Sequence, residues 1–444
     1  MTALWLPPEL WKEVFAHATY FQGECDIHEW IQRTHPGSEE QTKLELARRQ
    51  IAGEESNGFM LLENPQFRDQ QAYLRLSLIL VCRDWFQMTA EHFYRSIIIR
   101  DPSKLHGCVK TLKRLPWVRK FVRRLEFSIS EEDTDLLDSR SISAFQRQLT
   151  DVIEYCAELV FFRGSVSFED ARMLDLIDLS LRSALANHCP NLQLVVGHHA
   201  LDGYPASTFF RHIPHLSNLV ILQLPPNVGT LAVTHKPPVS LPYLRVLDLG
   251  NQAPLISIEF GRYLSRWNLP SLDTVHLGTL SPALALHSFW GSHGSKLTTI
   301  KVYNAQGTTM GRRFAEVNLG ITMPSNDLFP NIRQLIVLHN PPRALTHLFL
   351  PSRSLEVYEV PFHNPWPDAD APLTLHLREQ LWADHFRHLT PESSPNLRMV
   401  RISSVPLKTD NGPAAQAWDD LPLDTWRRVF SDQGAQLELI YREV

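Results

Sequence analysis

The chain has 444 residues, of which 43% are hydrophobic and 20% are charged, and its formal net charge is -5 at pH 7. This composition excludes a largely disordered protein, because there is ample apolar surface to build a core. The acidic balance gives no overall attraction to nucleic acid or anionic membranes, and no apolar run approaches the ~20 residues that span a bilayer. Since the first residues lack a basic stretch and a small-residue cleavage site, we expect an intracellular protein, cytoplasmic, nuclear or both.

The N-terminal segment predicts three helices and a strand. A helix begins in LPPELWKEVF at 6–15, because a proline in the first turn has no intrahelical N–H to lose and the following glutamate complements the helix dipole. A second, apolar helix is predicted near 74–81, and a third, amphipathic one includes CRDWF at 82–86. A short strand is predicted at 97–99. The polar tract at 20–71 is interpreted as an inserted loop.

Basic residues are concentrated just after this segment. Between Lys110 and Arg124, seven of fifteen residues are Lys or Arg, interleaved with Trp117 and Phe121. The cluster is compatible with a nuclear-import patch or with a docking surface for an acidic partner. We favour a solvated helix face as the simpler interpretation. The residues expected to turn inward are Leu115, Val118 and Val122.

A repeated pattern runs from about residue 189 towards the C-terminus. A leading apolar residue is followed, after two positions, by alternating apolar residues, as in NLVILQL at 218–224. The alternation predicts a short strand with one buried face, with the leading residue packed beneath the preceding turn. One such unit cannot bury its own apolar face, so we expect neighbouring units to stack into a parallel sheet. The leading positions, spaced by 23 to 42 residues, are Leu192, Leu219, Leu244, Leu272, Leu297, Ile332, Leu355, Leu397 and Leu437.

Two further features extend this pattern. The same order of helix and strand is predicted earlier in the chain, at 118–128 and 156–165. The pattern resembles leucine-rich repeats, in which a buried asparagine follows the strand and satisfies backbone groups at the turn; Asn227 and Asn340 fall at that offset. The other copies lack this asparagine, so the repeats are degenerate.

The C-terminal segment matches an internal one. Residues 288–300 and 428–440 align without a gap, and the alignment superposes Leu297 on Leu437. Each is interpreted as a helix that a glycine ends, followed by a strand. For this reason LPLDTWRRVF at 421–430 is interpreted as a terminal repeat helix.

Proline is the unusual feature of the composition, with 31 prolines against 19 glycines. Five of the prolines stand two residues before a leading position, where a ring that cannot continue a helix separates helix from strand. These five are Pro190, Pro242, Pro270, Pro330 and Pro395.

No motif for catalysis emerges, so we predict a protein that is not an enzyme and has no cofactor and no metal. The five cysteines are widely separated without a CxxC pair, which favours reduced, mostly buried thiols. His198 and His199, and the histidines at 385 and 388, lack the further ligands that a metal needs. The segment at 307–313 lacks the Gly-Lys-Ser/Thr ending of a phosphate loop.

The N-terminal segment resembles an F-box. The F-box signature is Leu-Pro-x-Glu opening one helix and Val-Cys-basic-x-Trp closing another, and this sequence has LPPE at 6–9 and VCRDW at 81–85. With the repeats downstream, the chain is similar to fungal F-box proteins that carry degenerate leucine-rich repeats. We therefore predict an α/β (or α+β) chain with an F-box-like helical module over 1–100, containing the insertion. An irregular leucine-rich-repeat-like solenoid with a curved parallel sheet is predicted over 101–444.

The resemblance implies a non-catalytic substrate-recognition subunit of an SCF-type ubiquitin ligase. In this family the F-box binds the Skp-family adaptor and thereby a cullin-RING ligase. Of the motif positions, Leu6 and Pro7 are expected to face the adaptor, whereas Trp85 is expected to pack largely within the module. The positions assigned to adaptor binding are Leu6, Pro7, Leu10, Val14, Phe15, Val81, Cys82 and Trp85.

The repeats are expected to bind a protein substrate whose identity and contact residues the sequence does not give. The strand face and the long segments at 303–328, 361–394 and 405–420 are the expected contact surfaces. The alternative is a repeat-type protein-interaction scaffold with no ubiquitin ligase role.

Overall fold

The computed structural model describes residues 7–19, 74, 76–129, 139–166, 181, 183–198, 213–224, 237–249, 257–277, 283–302, 328–337, 353–362, 386, 389–404 and 423–441. The predicted insertion at 20–71 and the turn residues Asn227 and Asn340 lie outside them. The chain divides into two compact units, Met1–Pro225 and Pro226–Val444.

The first unit combines helices with parallel strands. Its helices are α1 (Pro8–Thr19), α2 (Arg83–Tyr94), α3 (Leu105–Arg114) and α4 (Ser139–Tyr155), with 3₁₀ helices at Pro102–Lys104, Pro116–Phe121 and Ile213–His215. Its strands are β1 (Ser96–Ile99), β2 (Arg124–Ile129), β3 (Phe161–Val166), β4 (Leu194–His198) and β5 (Ile221–Gln223), each paired in parallel with the next. The predicted helices at the N-terminus and the strand at 97–99 are confirmed, and that strand already belongs to the sheet.

The second unit continues the same scheme. Its helices are α5 (Ile258–Ser265), α6 (Ala283–His293) and α7 (Leu423–Asp432), with a 3₁₀ helix at Gly294–Lys296. Its strands are β6 (Val246–Asp248), β7 (Thr274–Leu277), β8 (Thr299–Val302), β9 (Gln334–Val337), β10 (Val357–Phe362), β11 (Met399–Ser404) and β12 (Gln436–Tyr441). Each again pairs in parallel with the next. The predicted mixed α/β organisation with parallel strands is confirmed, because parallel neighbours require a crossover and helices supply several of them.

The core lies on the side of the strands that carries the leading residues. The eight leading residues from Leu192 to Leu397 are buried, with at most 7% of any of them exposed. Helices complete this core with the spacing of an amphipathic helix: α4 buries Phe145, Leu149 and Val152. Burying one such side chain stabilises the fold by roughly 1.5–3 kcal/mol.

A tight turn precedes the strands. The N–H of Leu192 donates to the carbonyl of Cys189 at 3.2 Å, and the N–H of Leu397 donates to the carbonyl of Ser394 at 3.0 Å. The second residue of both turns is a proline, whose fixed φ suits that position. The N–H groups of Leu244, Leu272 and Ile332 donate the equivalent hydrogen bond. All five prolines that stand two residues before a leading position therefore occupy equivalent places.

The turn also occurs before residue 189. The N–H of Val122 donates to Arg119 at 3.2 Å, and the N–H of Leu159 donates to Cys156 at 3.0 Å. Strands β2 and β3 follow these turns. The expectation that the repeat begins near 118–128 is therefore confirmed.

A side-chain hydrogen bond links consecutive turns. The residue just before the leading position donates to the carbonyl of the second turn residue in the preceding unit. Asn218 Nδ2 donates to the Pro190 carbonyl at 2.8 Å. Asn331 Nδ2 donates to the Ser295 carbonyl, and Asn396 Nδ2 donates to the Arg353 carbonyl, both at 2.6 Å. Ser271 Oγ donates to the Pro242 carbonyl, also at 2.6 Å. Sequence reasoning placed the structural asparagines after the strand and missed this set.

The last unit corrects one prediction. Leu437 lies opposite Val400 in the β11–β12 pair, so it occupies the second apolar position and not the leading one. In the strand, the gapless alignment of residues 428–440 with residues 288–300 is therefore shifted by three residues. The cause is the way α7 ends: Gly434 has φ 79°, and the Ala435 N–H donates to the Phe430 carbonyl at 2.8 Å. This glycine ending leads directly into β12, and no proline-type turn intervenes.

We expect Asn331→Ala to lower the free energy of unfolding by roughly 0.5–1 kcal/mol, because the Ser295 carbonyl loses its donor. Asn187→Ala is the matched control, since among the described residues this amide contacts only the Ser183 hydroxyl, in an exposed hydrogen bond of 3.3 Å. Urea titration measures both variants. Equal losses of stability would contradict a specific role for the link between turns.

Candidate protein-binding surface

Three aromatic rings hold the N-terminal helices together. Trp11 and Phe15 are one helical turn apart on α1, with ring centroids separated by 5.5 Å. Trp85, in the first turn of α2, lies 5.2 Å from Trp11 and 4.8 Å from Phe15. Phe15 is only 1% exposed. The two halves of the sequence motif therefore meet in the structure through these rings.

Apolar side chains on the same module face solvent. Eleven large apolar side chains are exposed in the described part of the chain, and six of them lie between residues 10 and 81. Leu10 and Val14, one turn apart on α1, are each 44% exposed, and Val81 is 58% exposed. The other three are Leu74, Leu76 and Leu80. Since exposed apolar surface on a folded protein marks interaction sites, this module is the candidate binding surface.

The predicted adaptor-binding residues fall into three groups. Leu6 lies outside the described residues, whereas Pro7, Leu10, Val14, Val81 and Cys82 are exposed. Trp85 is half-buried and packs within the module, as expected. The Phe15 side chain is buried and also packs within the module, so it differs from the five exposed residues in its surroundings. Leu74, Leu76 and Leu80 were not assigned from the motif, although the apolar run LSLIL contains two of them.

A row of mostly polar residues crosses the strands of the second unit on the side away from the leading residues. The row is in register and consists of six polar residues and one isoleucine: Asp248, His276, Lys301, Ile336, Glu359, Arg401 and Glu438. Arg401 Nε donates to Glu438 Oε2 at 2.8 Å. Glu359 is 1% exposed, and Arg401 is 5% exposed. The strand face predicted for substrate contact is therefore mostly buried at this row.

Two histidines of the second unit are held neutral by burial. Burial lowers the pKa of His276, although Asp248 at 3.6 Å opposes this shift. Burial also lowers the pKa of His293 to about 4, and the nearby Lys296 ammonium adds to the effect. His293 Nε2 contacts the Leu264 carbonyl at 3.3 Å, and Lys296 Nζ donates to its Nδ1 at 3.4 Å. His293 therefore links the end of α6 to the end of α5.

The thiols differ sharply in exposure. Cys82, the residue before α2, is exposed, whereas Cys156 and Cys189 are buried; all three are free thiols. Burial raises the pKa of Cys189 to about 12, and it raises the pKa of Cys108 to about 11. Cys189 Sγ donates weakly to the Cys156 carbonyl at 3.7 Å. Cys108 and Cys189 are therefore protonated thiols near neutral pH.

Among the described residues no three His, Cys, Asp or Glu side chains are grouped so as to hold a metal ion. His198 is the last residue of β4, and His199, 384–385, 388 and the segment at 307–313 lie outside the described part. Within that part, none of the helices is long and apolar enough to cross a membrane.

Comparisons with known proteins assign no family. No protein-family model matches the sequence, and no curated protein matches it significantly. The chain is thus a mixed α/β protein of parallel turn–strand units, preceded by a two-helix module with apolar side chains at its surface.

We expect stability to fall as the pH is lowered from about 6.5 to about 4, because the unfolded state binds a proton that the folded His293 does not. Between about pH 7 and pH 5 this residue accounts for on the order of 2 kcal/mol. His293→Gln should make the fall shallower when the free energy of unfolding is measured by urea titration at both pH values. His287→Gln, an exposed histidine on the same helix, is the control and should keep the wild-type slope.

We expect iodoacetamide to modify Cys82 in the folded protein and to spare Cys156 and Cys189, because only Cys82 is exposed among these three. Peptide mass spectrometry measures the modified fraction. Denaturation in urea is the control and should expose all three to the reagent. Modification of Cys189 at the rate of Cys82 would contradict the buried position.

Proposed function

We propose that this chain is the substrate-recognition subunit of an SCF-type ubiquitin ligase and binds the Skp-family adaptor through its N-terminal module. The single observation that supports the proposal best is the exposed pair Leu10 and Val14 on α1. They lie on the helix that carries Trp11 and Phe15, whose rings contact Trp85 and so join the two F-box-like motifs. The residues of both motifs therefore belong to one folded module. In this role the chain contributes binding and positioning, and no bond-making residue is required of it.

The proposed contact is an apolar helix face seated against a partner helix. Leu10 and Val14 are spaced by one turn and are exposed, and the contacts of Trp85 with Trp11 and Phe15 hold α1 in place. Burying one such side chain contributes roughly 1.5–3 kcal/mol. Apolar anchors of this kind usually dominate a helix-in-groove interface. The exposed Val81 and Cys82 extend the proposed contact to the start of α2.

The parallel units are proposed to be degenerate leucine-rich repeats of a curved solenoid that presents the substrate. Their buried leading leucines, recurring turns and in-register strands support this assignment. Because the polar row on the strands is mostly buried, the segments between units are the better candidates for substrate contact. Those at 303–328 and 405–420 lie outside the described residues, apart from Leu328.

The alternative is a repeat scaffold in which the N-terminal module only covers the first strand of the sheet. A capping role predicts that the outer side of the module is polar, as for other terminal repeats. The exposure of six large apolar side chains on this module favours the receptor.

We expect the full chain, expressed together with a tagged Skp-family adaptor, to co-purify with it. Val14→Asp should weaken the affinity at least about tenfold, because it places a charge in the buried contact. Val429→Asp is a closely matched control: this valine also lies on a helix and is also 44% exposed. Affinity is measured by biolayer interferometry, with circular dichroism to verify that both variants fold.

Two results would refute the receptor assignment. One is that the folded wild-type chain does not bind the adaptor, which would favour the scaffold. The other is that Val14→Asp and Val429→Asp leave binding equally unchanged. Protection of Cys82 from iodoacetamide in the complex would independently support the proposed contact.

A further inference from the structure

The basic segment at 110–124 contains two kinds of cation. Four of its seven basic side chains have partners within the protein. Lys113 Nζ pairs with Asp151 at 3.2 Å, and Arg123 pairs with Glu158 at 2.6 Å. Arg119 donates to the Leu112 carbonyl, and Arg124 pairs with Glu126. These four already have partners within the first unit.

The other three, Lys110, Arg114 and Lys120, are exposed and form no ion pair with any described residue. Lys110 and Arg114 are one turn apart on α3 and share a face. Lys120 lies in the following 3₁₀ helix, three residues after Trp117, and its Nζ is 5.1 Å from the centroid of the Phe121 ring. Val118 and Val122 are buried beneath them, as predicted.

An aromatic side chain lies within this group of cations. Trp117 is 40% exposed, and its ring is held edge-on by Phe86 of α2, at 5.7 Å, and by Phe121, at 6.0 Å. A ring fixed in this way loses little conformational entropy on binding. Tryptophan and arginine are also the residues that most often dominate protein interfaces. We call Lys110, Arg114, Trp117 and Lys120 the basic surface.

We propose that the basic surface docks an acidic segment of a partner protein, with carboxylates on the three cations and an apolar side chain on Trp117. This site is independent of the adaptor contact. A short peptide suits it better than a nucleic acid does, because a nucleic acid brings a much longer run of negative charge to a chain whose net charge is -5. Nucleic-acid binding also draws on many phosphate contacts, whereas three cations without an ion pair match a few carboxylates.

The test uses the full chain and a fluorescein-labelled peptide of aspartate and glutamate residues around one phenylalanine. We expect the peptide to bind at low salt, to dissociate as salt is raised, and to lose binding when its acids are replaced by amides. The triple variant Lys110→Ala, Arg114→Ala, Lys120→Ala should weaken binding roughly tenfold, as for three exposed ion pairs. Trp117→Phe, which keeps a ring against Phe86, should weaken it a few-fold.

The matched control removes three exposed arginines of the second unit, Arg353, Arg398 and Arg428, and therefore changes the net charge equally. It should bind the peptide as the wild type does. Equal weakening in both triple variants, or no binding by the wild type, would overturn the proposal. Binding of labelled oligothymidylate and of phosphatidylserine vesicles is measured in parallel. The proposal is wrong if the wild type binds one of these two ligands but not the peptide, and the first triple variant no longer binds that ligand. The surface would then dock a different class of partner.

Discussion

One backbone hydrogen bond recurs before most of the strands and determines where they begin. It runs from the N–H of the leading residue to the carbonyl three residues earlier, as from Leu192 to Cys189. The bond turns the chain so that the leading side chain enters the core and the following residues extend alongside the previous strand. Because parallel partners pair only when successive units repeat the same geometry, the register of the strands that follow this turn depends on it.

The sequence predicts this part of the fold well because its causes are local. A leading leucine, an alternating strand and a proline at the second turn position all lie within a few residues of one another. The register predicted for the last strand is wrong because the helix before it ends at Gly434 and leads directly into the strand. A pattern of apolar residues does not encode this connection. The link from Asn331 to Ser295 was missed for a related reason: its acceptor is a backbone carbonyl 36 residues away.

The candidate binding surface was predictable in position but not in detail. The motif identified Leu10, Val14 and Phe15 together, yet a motif does not distinguish a side chain that faces a partner from one that packs the module. The rings of Trp11 and Trp85 make that distinction by covering Phe15. Likewise, charge density at 110–124 did not reveal that most of its cations are paired internally.

The contact between α1 and α2 also constrains how the chain is made. Phe15 and Trp85 are 70 positions apart, and α1 has only 12 residues. An isolated helix of this length is marginal in water. During translation, α1 therefore leaves the ribosome well before the segment that stabilises it, with Trp11, Phe15 and its outer apolar residues all uncovered. A chaperone that shields nascent apolar segments would protect this interval of synthesis.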